Sequence, residues 1–429
     1  MKTWLTIGFC FILSAASAQQ LRVKQVAVLE ETAPANVGMS PERLQRIDVM
    51  IQEQIAKGAI PGAVALVAKN GKLVYLKSFG KVDASSDALL EKDHIFRLAS
   101  QTKSITSTAV MMLWEEGMFR LDDPISKYIP AFKAMQVLEK FSLSDSSFTA
   151  RPALGEITIR HLLTHTSGLG YGMIDPDERM RMIYTKGKAV NAFTTNDISI
   201  ETFVNNLAKM PLHFDPGVKY QYSYGLDVLG YLVEVVSQMP FDQFLRQRLF
   251  DPLGMDDTWF YLPEDKASRL VKVQQKSSGV WQNLPDGNVL ADYPVKGAQT
   301  FFAGGAGLVS TARDYALFLH MYLNGGEVNG QRFLSASTIE IVLDNHSADL
   351  YGGSGSYHGL AFSVLRPAGV AKGGEGSAGT FSWGGYFNTQ YFVDPQENVI
   401  GILLKQTVGS SGDETGWKFQ QLVGAAIDD

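Results

Sequence analysis

Of the 429 residues only one is cysteine, Cys10, and it falls within the first twenty. A chain processed beyond that point has no thiol, which excludes disulfides, thiolate metal sites and a cysteine nucleophile. Cations are not in excess either. Lys and Arg number 38 against 44 Asp and Glu, the net charge is −6, and no basic run forms a stripe, which argues against nucleic acid as a partner. Long apolar runs are missing. Trp4 to Leu13 is an apolar run of ten residues, too short to span a bilayer, and no later stretch is long and apolar enough. There is no internal repeat and no low-complexity tract. No Gly-x-Ser-x-Gly nucleophile elbow occurs, which argues against an α/β-hydrolase.

What is present begins with an address. Lys2, the short apolar run and Ala16-Ser17-Ala18 before Gln19 and Gln20 predict a cleavable signal peptide over residues 1–18, hence a secreted or periplasmic protein. Cys10 lies too far before that site to carry a lipid. The whole chain is 45% hydrophobic and 19% charged, ordinary for a globular enzyme with two or three packed layers.

Local signals place the elements. Ser40-Pro41 predicts a helix start and Gly58 its end, because Ser caps the first free N–H groups and Pro fits the first helical position. Strand-like residues 63–68 and 73–79 flank Asn70-Gly71, a two-residue hairpin turn. From Ile105 to Trp114 the chain is apolar on nearly every side and ends at Gly117, the pattern of a helix buried all round. Residues 121–261 carry mainly helical signals and 263–297 are loop-rich. Ala303–Val309 is glycine-rich and leads to a helix capped by Thr311, with Asp314 three residues on. Strands are predicted over 359–365, 389–393 and 399–405, and a last helix over 416–427. The economical arrangement is α/β: an antiparallel sheet built from both ends of the chain (39–117 and 298–429) and flanked by helices, with 118–297 inserted as a mostly helical lobe. A ligand cleft is expected between them.

Ser100-Gln101-Thr102-Lys103 fits Ser-x-x-Lys at the mouth of the buried helix. Positions i and i+3 share a helix face, so the amine reaches the hydroxyl. The serine sits at the positive helix end beside free N–H groups, which suit an oxyanion. Burial one turn in favours a neutral amine able to take the serine proton. Ser78-Phe79-Gly80-Lys81 repeats the spacing, but on a strand, where i and i+3 face opposite ways; it is expected to be bland. His161 and His165, four apart, lack a third ligand and are expected to serve structure or helix capping, not a metal.

The tetrad belongs to longer blocks. Phe96 to Lys103, Thr158 to Leu169, Pro216-Gly217 with Tyr222-Ser223, Asp251-Pro252-Leu253-Gly254-Met255 and Gly304-Gly305-Ala306-Gly307-Leu308 occur in one order from about Met39 to the C-terminus. Together they resemble the serine β-lactamase, penicillin-binding protein and DD-peptidase superfamily, and most closely its family VIII carboxylesterase branch. The resemblance implies that fold, an acyl-enzyme on Ser100, Lys103 as its partner, and no metal or cofactor. It also implies a Tyr-x-Asn element. Tyr322-Leu323-Asn324 and Tyr386-Phe387-Asn388 match literally but lie outside the helical middle, so Tyr222 is the candidate by position, without the Asn. A tyrosine needs a neighbouring cation to act as a base near neutral pH, and Lys103 would supply it. Where relatives carry Lys-Thr-Gly, this chain has Trp383-Gly384-Gly385 followed by Tyr386, similar to the esterase version. By that resemblance the Tyr386 amide is the second oxyanion donor, Gly384 and Gly385 let backbone approach the substrate, and Trp383 replaces a cation that would grip a carboxylate. Lys372-Gly373-Gly374 is expected to be a surface loop. The predicted substrate is a small-molecule ester. A β-lactamase or D-amino-acid peptidase, and a non-catalytic binding protein on the same fold, stay as alternatives.

Overall fold

The computed structural model describes residues 29–189, 193–351, 353, 355–409 and 412–428; the predicted signal peptide and Cys10 lie outside them. Helix α1, Pro41–Ala56, starts where the sequence places it: the Ser40 hydroxyl accepts from the Arg43 N–H at 3.3 Å. Strands β1, Gly62–Lys69, and β2, Lys72–Gly80, form the hairpin, with Asn70 at φ 53° and Gly71 at φ 71° in the turn. Both central residues are left-handed, as a type I′ turn demands.

β1 is buried along its whole length and divides two cores. Ala63, Ala65 and Val67 face α1 and the last helix, Thr415–Ala425, with Ile47, Ile51, Phe419 and Val423 opposite. Val64, Leu66 and Ala68 face the other way, towards helix α2, Thr102–Glu115. The period of two in the strand is what lets one sequence serve two layers. The seven-stranded antiparallel sheet runs Ser356–His358, Ser363–Leu365, Phe381–Gly384, Gln390–Asp394, Val399–Leu404, β1, β2. N-terminal and C-terminal segments therefore share one sheet, as the sequence predicts.

Helix α2 is buried from Thr102 to Leu113. Its hydroxyls all find partners: Thr106 donates to the Gly304 carbonyl at 2.6 Å, Ser107 to that of Leu360 at 2.9 Å, and Ser104 and Thr108 bond the phenols of Tyr391 and Tyr322. Buried polar groups without partners would each cost roughly 1–3 kcal/mol, so these bonds fix α2 between the sheet and the glycine-rich segment. The predicted helix after Thr311 is Ala312–Leu323. Thr311 accepts from the Asp314 N–H, while the Asp314 carboxylate turns away to the Asp257 N–H and Thr258 hydroxyl.

Two expectations need correction. The middle of the chain is not simply helical: Gln136–Phe141 and Phe148–Pro152 pair as a hairpin, and Gln274–Ser277 pairs with Val280–Asn283. Most residues of the first hairpin are exposed or half-buried, so its sequence lacks an apolar alternation that would reveal strands. The strand predicted over 359–365 is broken. Residues 359–362 leave the sheet to cover α2, with Leu360 bonded to the Val342 carbonyl and to Ser107 and with Ala361 at φ 71°; pairing resumes only at Ser363.

Candidate active site

The segment before the helix positions the serine. Phe96–Arg97 pairs antiparallel with Val309–Ser310, and the Leu98 N–H bonds the Leu308 carbonyl at 2.9 Å. Ala99 then adopts φ 48°, a left-handed conformation that costs a residue bearing a Cβ on the order of 1–3 kcal/mol. Its surroundings hold it there: Ala99 is fully buried, and the Leu98 carbonyl accepts from the Thr389 hydroxyl at 3.2 Å. The bend delivers Ser100 onto the turn Ala99–Gln101 that feeds α2. Ser100 lines a cavity of about 290 Å³. First N–H groups of such a helix have no intrahelical acceptor and lie at its positive end.

Lys103 is fully buried one turn on. Its Nζ lies 3.3 Å from Ser100 Oγ, 2.9 Å from the Tyr171 hydroxyl and 2.7 Å from the Gly305 carbonyl. Three partners match the three donors of an ammonium. A neutral amine keeps two N–H bonds and one lone pair, and the lone pair must meet a partner that has a proton to give. Gly305 offers only a carbonyl. The lone pair therefore belongs to a hydroxyl, and Ser100 is one of the two available. The amine also lies over two aromatic faces, 4.5 Å from the Tyr222 ring centre and 5.0 Å from that of Tyr171.

The two tyrosines meet edge to face at 5.1 Å. Burial, reinforced by Tyr222 and Asp227, pushes the Tyr171 phenol well above its ordinary value, so it stays protonated. Tyr171 is held through its N–H, which bonds Asp175 at 2.8 Å. Tyr222 is half-buried and its ring touches His165 and Trp383. Behind Gly305 sits Asp227, fully buried, accepting the Gly305 N–H at 3.0 Å. Burial pushes its carboxyl up to about 6, opposed by the charge of Lys103.

The opposite wall is the end of an inner strand of the sheet. Strand Phe381–Gly384 brings Trp383 beside Tyr222, with ring centres 6.0 Å apart. At Gly385 an added Cβ would stand 2.2 Å from the Leu98 carbonyl oxygen and 2.2 Å from Thr389 Oγ1. Only glycine permits this approach of the strand end to the Leu98–Ser100 segment. Tyr386 follows and lines the same cavity as Ser100. Its other lining is largely apolar: Met173, Ile174, Phe193, Val289 and Leu290.

Residues 47–425 match the model of the Beta-lactamase family. The chain belongs to that family. Among relatives, Protein Rv1367c of Mycobacterium tuberculosis is 32% identical, the match covering 83% of this chain and 88% of that one. Esterase EstB of Burkholderia gladioli is 31% identical, over 86% and 92%. The solved structure of EstCE1, a hydrolase with promiscuous acyltransferase activity, superposes with a TM-score of 0.74 at 26% identity, over 90% and 98%. The sequence resemblance to the family VIII esterases and the expected fold are thus met, and the protein is a serine hydrolase.

Within this family member Ser100 and Tyr386 line one cavity, Lys103 and Tyr222 stand behind Ser100, and Gly385 packs on Leu98, whereas Trp383, beside Tyr222, and Gly384 line a separate depression on the sheet. It also adds residues the sequence reading omits. The hydroxyl bonded to Lys103 belongs to Tyr171, two residues past the Thr158–Leu169 block, and Asp227 lies one turn past Tyr222-Ser223. Nothing local distinguishes either from a core residue. The look-alikes have other tasks. Ser78 lies within β2, and Lys81 pairs with Asp87 at 2.7 Å. The Tyr322 phenol bonds Thr108, and Asn324 ends its helix. Asn388 holds a turn through Thr407 and the Gly409 carbonyl. Lys372-Gly373-Gly374 lies on the surface. His161 completes a capping box with Thr158, whereas His165 is buried and its Nδ1 accepts from the Ser223 N–H. Among the described residues no helix is long and apolar enough to cross a membrane.

Proposed function

We propose that the protein is an exported carboxylesterase that works through an acyl-enzyme on Ser100. The observation that carries this reading is the buried Lys103 amine, within reach of Ser100 Oγ, whose neighbours leave only the Ser100 and Tyr171 hydroxyls as donors to its lone pair. Ser100 Oγ attacks the ester carbonyl carbon and its proton passes to Lys103. The oxyanion rests between the amides of Ser100 and Tyr386. The carbon–oxygen bond to the alcohol breaks, Tyr222 gives its proton to the departing alkoxide, and Lys103 returns one to Tyr222. Water then attacks the acyl group by the reverse path, releasing the acid and restoring the Ser100 hydroxyl. Tyr171 anchors the amine throughout. The scheme calls for no metal or cofactor.

An uncharged ester is favoured over a carboxylate-bearing β-lactam or peptide. By the sequence resemblance Trp383 replaces a cation that would grip a carboxylate, and the cavity beside Ser100 is lined mainly by apolar side chains. EstB, an esterase by name, is among the relatives. The test is intact-mass measurement of wild type and Ser100→Ala after incubation with p-nitrophenyl esters, a penicillin and a fluorophosphonate. A single phosphonyl adduct on wild type, none on the variant, and ester turnover faster than cephalosporin turnover are expected. Full esterase activity in Ser100→Ala would falsify the assignment; faster cephalosporin turnover would favour a β-lactamase. Export is read from residues 1–18 and is tested by N-terminal sequencing of the protein recovered outside the cytoplasm, with Gln19 expected first.

A further inference from the structure

Arg97 carries a charge that the reaction does not use. The residue is 2% exposed. Its Nε donates to the Tyr293 carbonyl at 2.6 Å, one terminal nitrogen to the Val271 carbonyl at 2.9 Å, and the other to the Ala291 carbonyl. The nearby carboxylate, Asp292, is engaged with Lys296 at 3.0 Å. Burial without a carboxylate partner pulls the guanidinium down to about 9. A buried cation is tolerated only when its donors are satisfied, and here backbone carbonyls satisfy them. The planar fork of arginine suits that task, since its donors diverge in a fixed geometry.

The location gives the contact a purpose. Two of the carbonyls, 291 and 293, follow directly on Asn288, Val289 and Leu290, which line the cavity beside Ser100. Leu290 also packs on the cluster of Ala99, Val273 and Phe387, so the wall bears on the residue before the nucleophile. Other ties hold the ends of the segment: the Leu284 N–H to Val273, the Tyr293 hydroxyl to Gly307, and the Leu262 N–H to Pro294. Arg97 stands three residues before Ser100, and its own backbone is fixed by pairing with Val309 and by its N–H bond to Gln406 at 2.7 Å. The guanidinium thus measures the wall against the nucleophile.

We propose that Arg97 is a positioning residue that fixes the 288–293 wall relative to Ser100 and so sets the length of apolar acyl chain the site accepts. The inference rests on the esterase reading. The cavity beside Ser100, about 290 Å³ and lined mainly by apolar side chains, has room for an acyl chain longer than acetyl.

The experiment compares wild type with Arg97→Lys, and with Arg97→Gln should the lysine variant not fold. Lysine keeps the charge but cannot reach three divergent carbonyls. The first readout is hydrogen exchange of the 288–293 amides, expected to quicken about tenfold as the wall loosens. The second is the ratio of kcat/KM for p-nitrophenyl octanoate to that for the acetate, expected to change about tenfold while acetate turnover stays within about threefold. Unchanged exchange and an unchanged ratio in a folded variant overturn the proposal. So does an equal loss on every ester, which is what a merely structural arginine would give. A wild type that turns over no ester defeats the esterase reading instead, and the exchange measurement still decides whether Arg97 holds the wall.

Discussion

Replacing each of the two tyrosines by phenylalanine separates anchoring the amine from donating a proton. Tyr171→Phe removes the hydroxyl 2.9 Å from Lys103 Nζ and leaves the ring. A hydrogen bond to a charged group is worth ~1.5–3 kcal/mol, which at ~1.4 kcal/mol per decade lowers kcat/KM by about 10- to 150-fold. Lys103 acts in both attack and return, so the loss falls equally on all esters. Tyr222→Phe keeps the ring over the amine at 4.5 Å and its contacts with His165 and Trp383, so the cleft stays assembled. What it loses is protonation of the leaving alcohol, a step worth roughly 10²–10⁴-fold. p-Nitrophenolate departs without that proton and ethoxide does not. The assay measures kcat/KM for p-nitrophenyl butanoate and ethyl butanoate, which share an acyl group. Tyr171→Phe should lower both alike. Tyr222→Phe should spare the nitrophenyl ester and lower the ethyl ester about a hundredfold or more. Equal losses on both esters in Tyr222→Phe, or no loss in Tyr171→Phe, would refute the division of roles.

Gly385→Ala places a Cβ 2.2 Å from the Leu98 carbonyl, so the strand end must retreat from Ser100; a fall in kcat of about tenfold or more with a stability cost of ~1–3 kcal/mol is expected from kinetics and urea melts. Asp227 has a folded-state carboxyl raised from 3.8 to about 6, so between those values the native state binds a proton the unfolded chain has lost, and stability falls as pH rises. Asp227→Asn should remove a pH-dependent loss of about 3 kcal/mol across that window, read from urea midpoints on either side; an unchanged pH dependence would show that Asp227 does not titrate there.

Much of the scaffold was legible in the sequence because its signals are local. Ser40-Pro41 caps a helix whatever surrounds it, Asn70-Gly71 turns a hairpin because both residues tolerate left-handed backbone, and Thr311 bonds an N–H three residues on. Ser100 and Lys103 are legible for the same reason: a spacing of three on a helix puts an amine beside a hydroxyl. The hairpin at 136–152 and the break at 359–362 were not, since one is half solvated and the other is imposed by α2 beneath it.

The sequence by itself determined the Ser100–Lys103 pairing, the capped helices and the first hairpin, because each depends on neighbours within a few residues. Only the tertiary structure decided which phenol bonds the amine, that a carbonyl at Gly305 and a carboxylate at Asp227 stand behind it, and that Arg97 grips the far wall. Those partners lie between 68 and 202 positions away along the chain. Contacts at such separations leave no local pattern. They are set by how the layers pack, and a buried charge takes whichever dipoles packing brings to it.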